Sequence, residues 1–271
     1  MRRMFSAIAC LVTLSAALTV LAGPAAAEDK PEDTRRNEAL DKIAAKIKDI
    51  KSFSADFVMT MGPDARPEAS PKGHILFLLP DKIRMTMPTP LGQGEQTTIS
   101  DGNVTWVLIP GMGVTARVDM VKVKAALKEA GVPDQGQQHN IANPLAALDP
   151  KSVKLTGTEK VQDKECWVFE GRPQAAGMPA RMRDSSTMRI LVSVDDGLAR
   201  QMELRDETGN AVMQVTYEKI TLNPETDPKT FQHEPPKDAR VMDQTDQVIQ
   251  AMKMLLPKPD AKEKAPEPPK E

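Results

Sequence analysis

The sequence predicts a mainly β chain of the α+β class, with antiparallel strands and a few covering helices. Three observations carry that expectation. Alternating apolar and polar residues flank Asp101-Gly102, a two-residue turn signal, so Thr97–Ser100 and Asn103–Ile109 read as hairpin arms. At Phe53 the apolar period switches from helical to two-residue spacing. Further strand-like runs then recur at short intervals between Val153 and Thr221, the pattern of an antiparallel meander or barrel.

Taken in order, the chain begins with an address. Arg2 and Arg3 precede an apolar run, Ile8 to Ala22, that is short for a bilayer span. Gly23-Pro24 breaks the run, and Ala25-Ala26-Ala27 is an A-x-A-type cleavage site, so residues 1–27 read as a cleaved export signal. An uncut anchor is the alternative, and Arg2-Arg3 leaves both Sec and twin-arginine export open. Cys10 lies inside the apolar run and is expected to leave with it. Leu40, Ile43, Ile47 and Ile50 form one apolar stripe, which predicts a helix over 34–51. Phe53, Ala55, Phe57, Met59 and Met61 then make the inward side of a strand.

Gly73 to Leu79 is nearly continuously apolar, which predicts a strand covered on both faces. Ile83, Met85 and Met87 alternate with Arg84 and Thr86 in the next strand, and Val114–Val118 makes another. Asp119 is placed to cap a helix over Met120–Ala130. Pro144 starts a helical turn after Asn143. The second half predicts strands at Val153–Thr158, Glu165–Gly171, Thr187–Val194, Ala199–Arg205 and Val212–Thr221. A terminal helix is expected over Val241–Leu256, and the Pro, Lys, Glu and Ala composition of 257–271 predicts a disordered tail. Residues 28–256 are read as one domain.

Composition narrows the function classes. After residue 27 there are 34 basic and 38 acidic residues, a formal charge of −4, which argues against nucleic acid as a partner. Only Cys166 remains in the exported part, so no internal disulfide can form. The three histidines, His74, His139 and His233, lack a second ligand at metal spacing. Cys166 sits in an apolar strand and reads as core. Asp195-Asp196 sits in a turn. No G-x-S-x-G elbow, phosphate loop or dinucleotide fingerprint occurs, so no enzyme activity and no cofactor are expected. Fourteen of the 16 methionines follow residue 27. Methionine suits adaptable apolar surfaces as well as ordinary core gaps.

Five segments in order carry a resemblance. Ile47–Thr60 (IKDIKSFSADFVMT), Gly73–Met85 (GHILFLLPDKIRM), Thr98–Pro110 (TISDGNVTWVLIP), Asn143-Pro144-Leu145, and Thr216–Val241 with Asn223-Pro224, Phe231 and Pro235-Pro236 together resemble the LolA/LolB-type periplasmic lipoprotein carriers, most closely the LolA-like lipoprotein-sorting group. The resemblance implies an unclosed antiparallel β-barrel covered by helices around an apolar cavity. It also implies a periplasmic carrier of lipoprotein acyl chains or other lipids, a monomer taking cargo from an inner-membrane release complex to an outer-membrane acceptor. In those carriers an arginine before the motif proline links the sheet to lid helices. Leu79 stands there in this chain, and Arg84, the nearest basic residue, has the parity of the solvent side.

Alternation nominates Phe57, Met59, Met85, Met87, Trp106, Leu108, Met188, Ile190, Met202, Leu204, Met213 and Val215 as cavity walls. A filled core would show the same alternation. A sensor or regulatory interaction domain of the same fold, docking through Val241–Leu256 and the tail, is the alternative function.

Overall fold

A computed structural model describes residues 31–62, 70–89, 94–130, 144–174 and 184–255. The export signal, the tail and His139 lie outside these residues. Helix α1 (Glu32–Ile47) leads into β1 (Ser52–Met61), β2 (Lys72–Leu78), β3 (Lys82–Pro88), β4 (Glu95–Ser100), β5 (Val104–Ile109) and β6 (Val114–Asp119). Helix α2 (Met120–Glu129) follows, then β7 (Lys154–Val161), β8 (Lys164–Gly171), β9 (Thr187–Ser193), β10 (Ala199–Arg205) and β11 (Ala211–Leu222). A short strand β12 (Val241–Asp243) and helix α3 (Thr245–Leu255) complete the described elements.

All twelve strands belong to one sheet, in the order β12-β6-β5-β4-β3-β2-β1-β11-β10-β9-β8-β7. It is two meanders, β1 to β6 and β7 to β11, joined at an antiparallel seam between β1 and β11. Among the described strands, only the β12–β6 pair is parallel. The outermost strands, β7 and β12, pair with one neighbour each, so the barrel is unclosed. That is the architecture the LolA-like resemblance implies. The free strand β7 carries exposed Lys154, Glu159 and Lys160 and a bulge at Thr156, features that discourage edge-to-edge pairing.

Helix α1 covers the inner face. Ala39 and Ile43 pack into a core with Phe53, Phe77, Phe169, Ile190 and Leu198. Arg36 donates to the Val153 carbonyl at 3.3 Å and Lys46 to the Asp195 carbonyl at 2.7 Å, which tie both ends of α1 to the second meander. The helix stops at Ile47, four residues before the expected end, and Ile50 reaches the core from the loop beyond it. At the opposite end of β6, the Asp119 side chain accepts from the Lys122 amide and caps α2, as expected. In the β4–β5 turn, Gly102 has φ +93°, and a Cβ there would lie 2.2 Å from the Asp81 carboxylate. Only glycine allows both the left-handed backbone and that approach.

The chain after β11 forms a strap across the outer face. Asn223, at φ 47°, turns it back, and its side-chain oxygen accepts from the amides of Lys51 and Ser52. A 3-10 turn, Pro228–Phe231, packs on β3 with Phe231 buried. His233 then meets Trp106 edge-on, ring centres 5.2 Å apart. The strap ends in β12, whose Asp243 pairs with Arg117 at 2.9 Å, and α3 rests against α2 and β6.

Two expectations are corrected. The terminal helix starts at Thr245 rather than Val241, because Val241–Asp243 pair with the otherwise open edge of β6. Strand β2 is covered on one face, with Ile75 and Phe77 buried but His74 exposed and Leu76 half-buried.

Candidate functional site

Cross-strand partners share a sheet face, so register sorts the twelve wall candidates. Met59 pairs with Val215, Val215 with Met202, and Met202 with Ile190. Met213 pairs with Leu204, and Leu204 with Met188. Phe57 lies on the same side of β1, and Met85 opposes the inner-face Ile75, with Met87 two residues on. These ten residues therefore line the face that α1 covers.

Trp106 and Leu108 do not join them. Trp106 opposes Ile99, which opposes Arg84, and Leu108 opposes Thr97, which opposes Thr86. Both lie on the outer face, where Trp106 seats the strap. The inward residue of that strand is Val107, across from Thr98 and, beyond it, Met85. Trp167 and Tyr217, not nominated from sequence, also join the inner set. In β8 the run Cys166-Trp167-Val168-Phe169 is apolar on both parities, so alternation could not choose between them. Cys166 and Val168 pack instead with Val161 and Leu191 in a small separate cluster, where burial raises the thiol pKa.

Burial along the inner face is uneven. On β1, Phe53 and Ala55 are sealed, Phe57 is nearly so, Met59 is half-buried and Met61 is 63 % exposed. On β3, Ile83, Met85 and Met87 are all half-buried. On β11, Tyr217 is buried while Val215 and Met213 are half-buried. The half-buried residues of the inner face thus gather on β1, β3 and β11 with Met202 of β10, while Phe169, Ile190, Leu204 and Met188 on β8–β10 are buried. Burial pushes the Tyr217 hydroxyl up to about 12, and its nearest acceptor is the Met202 sulfur at 3.9 Å.

Polar groups cluster on the outer face. His74 and Lys219 both meet the Asp56 carboxylate at 2.9 Å. The His74 hydrogen bond, then that of Lys219, holds Asp56 below the usual carboxylate range. Arg84 shares this face but is not free in solvent, since its Nη1 donates to the Thr230 carbonyl of the strap at 3.4 Å. Leu79, at the position of the carriers' lid arginine, packs against the inner core. The described contact from that turn to a helix is made by Asp81 instead, 3.9 Å from Lys124 of α2. Among the described residues, no group of three or more His, Cys, Asp or Glu is placed to hold a metal. None of the described helices is long and apolar enough to cross a membrane.

A family model described as "Predicted periplasmic protein (DUF2092)" matches residues 37–243. No curated protein matches the chain. Among solved structures, an uncharacterized conserved protein from Thermus thermophilus is 15 % identical with a TM-score of 0.49, covering 77 % of this chain and 99 % of that one. MucB in the Pseudomonas aeruginosa MucA/MucB complex is 15 % identical with a TM-score of 0.39, covering 74 % and 61 %. A LolA superfamily protein from Nitrosomonas europaea is 14 % identical with a TM-score of 0.35, covering 73 % and 97 %.

Proposed function

The chain belongs to the family of predicted periplasmic proteins (DUF2092), and from that premise we propose that it is a periplasmic carrier of acyl chains. It holds lipoprotein or other lipid chains without covalent chemistry, on the inner face of the sheet. The reading implies export through residues 1–27, cleavage near Ala27, and transfer from an inner-membrane donor to an outer-membrane acceptor.

The observation that supports it is the set of half-buried methionines on the inner face, Met59, Met85, Met87, Met202 and Met213, beside sealed Phe53, Phe169 and Ile190. Five half-buried methionines from four strands share this one face. Flexible, polarisable thioethers conform to a chain of variable shape. Each buried methylene contributes roughly 0.8 kcal/mol, so a long acyl chain gains about 10 kcal/mol gross. Ordering costs reduce that to a net affinity that still permits release.

Native mass spectrometry of the full chain purified from an exported fraction tests the reading. Co-purifying lipid, exchangeable for a fluorescent fatty acid, is the expected result. A lipid-free spectrum together with no fatty-acid uptake rejects it.

A further inference from the structure

The strap is held to the outer face at a point poor in neutralising groups. His233 packs edge-on to Trp106, at an interplanar angle of 69°. Its Nε2 is sealed from solvent and has no hydrogen-bond partner among the described residues. Arg84, from β3, approaches the same stretch and bonds Thr230 three residues earlier. From β6, Arg117 lies opposite Trp106, but it is engaged by Asp119 and Asp243. On the strap itself the adjacent acid, Glu234, is exposed. The cation that acts on the ring is Arg84 of β3, the strap's own Lys229, Lys237 and Arg240 being exposed, and no carboxylate of the described residues is bonded to the buried ring nitrogen.

We propose that the strap, residues 223–243, is an acid-operated clasp: protonation of His233 releases it from the outer face of β3–β5 and bares Trp106 and the edge of β6. A protonated ring puts a second donor where there is no acceptor, beside a guanidinium. The direction follows from linkage. Burial first, and Arg84 second, hold the histidine below its ordinary value of 6.5 while the strap is closed. A depressed pKa in the closed state means that closure is fully favoured above about pH 6.5 and weakens as pH falls below it. Beyond the histidine, β12 is only three residues long, Val241 and Met242 are each 38 % exposed, and the Asp243–Arg117 pair at 2.9 Å is what holds the far end once the ring leaves.

Hydrogen exchange of the full chain between pH 7.5 and 5.0, corrected for intrinsic rates, tests the clasp. Linkage to one proton predicts that opening of peptides covering 223–243 rises by up to about tenfold per pH unit below 6.5. Peptides from β9 and β10 hold their protection. His233→Phe keeps a ring on Trp106 and flattens the response. Arg84→Gln shrinks the response, because the closed-state histidine moves back toward its ordinary value. If His233→Phe does not fold, Arg84→Gln and acrylamide quenching of Trp106 in a Trp167→Phe background decide the matter, the expected result being quenching that increases below pH 6.5. A wild-type strap whose exchange is insensitive to pH, an equal acid response in His233→Phe, or a rise shared by β9 and β10 overturns the proposal.

Discussion

Replacing Met59 and Met213 together by glutamine separates ligand binding from folding. Both are half-buried on the inner face, one on each side of the β1–β11 seam. Full burial of a methionine is worth about 1.5–3 kcal/mol, so the unliganded protein already gains roughly half of that at each site. An acyl chain laid over them adds the remaining ~1 kcal/mol per side chain. Glutamine has similar length but keeps its amide hydrated, so the double variant forgoes about 2 kcal/mol of binding, a roughly 30-fold weaker Kd. Its unfolding free energy falls by a comparable ~2 kcal/mol, small enough to leave a domain of this size folded. Titration with a fluorescent fatty acid, beside a urea melt, reads both quantities. Leu108→Gln is the control, because register puts Leu108 on the outer face, and its affinity is expected to match the wild type. A folded double variant within threefold of wild-type affinity, or a Leu108→Gln variant that weakens binding as much, refutes the wall.

Three further outcomes follow from the geometry. Tyr217 is the single tyrosine, so absorbance at about 295 nm reports its ionisation alone; it should resist deprotonation until about pH 12. Because that pKa is raised above the ordinary value of about 10, stability is lost as pH climbs between the two, and a native titration centred near 10 contradicts the burial. Cys166, fully buried with its thiol pKa raised, should react with a thiol reagent only as fast as the protein opens; stoichiometric labelling within seconds under native conditions excludes this. Gly102→Ala places a side chain in a left-handed turn and against the Asp81 carboxylate, and should cost at least ~1–2 kcal/mol in a denaturant melt. An unchanged midpoint would show that the β4–β5 turn and Asp81 do not in fact meet.

What could be read from the sequence depended on whether one local signal decided the matter. In β1 the aromatic and methionine residues alternate with Ser54 and Asp56, so parity was legible and Phe53 to Met59 face inward. Asp119 before Met120 was an unambiguous cap. In β5 the run Val104-Thr105-Trp106-Val107-Leu108-Ile109 offers apolar residues to both faces. The choice is made by a strap segment far along the chain, through His233 on Trp106. No local pattern contains that information. Arg84 reads as solvent-facing for the same reason, and bonds a carbonyl 146 residues away. Val241–Asp243 continues a helical pattern, but the unsatisfied edge of β6 gives those backbone groups better partners. The methionines were legible as a list and not by their exposure, because alternation reports parity and not what covers a residue.

The seam between β1 and β11 sets an order of events in time. Within each meander every strand pairs with its neighbour in sequence, so either half can assemble from contacts close along the chain. The joint cannot: Lys219 reaches Asp56 across 163 residues. Loop closure on that scale must be met before the seam stabilises anything, and such topologies fold slowly. A chain delivered from its N-terminus holds β1 early, with β2 on one side and a bare, apolar edge on the other, until β11 emerges. The strap and β12 come later still. Synthesis therefore leaves the central strand half-paired for longest, and the interval before Leu222 arrives is when this molecule is most exposed to misassembly.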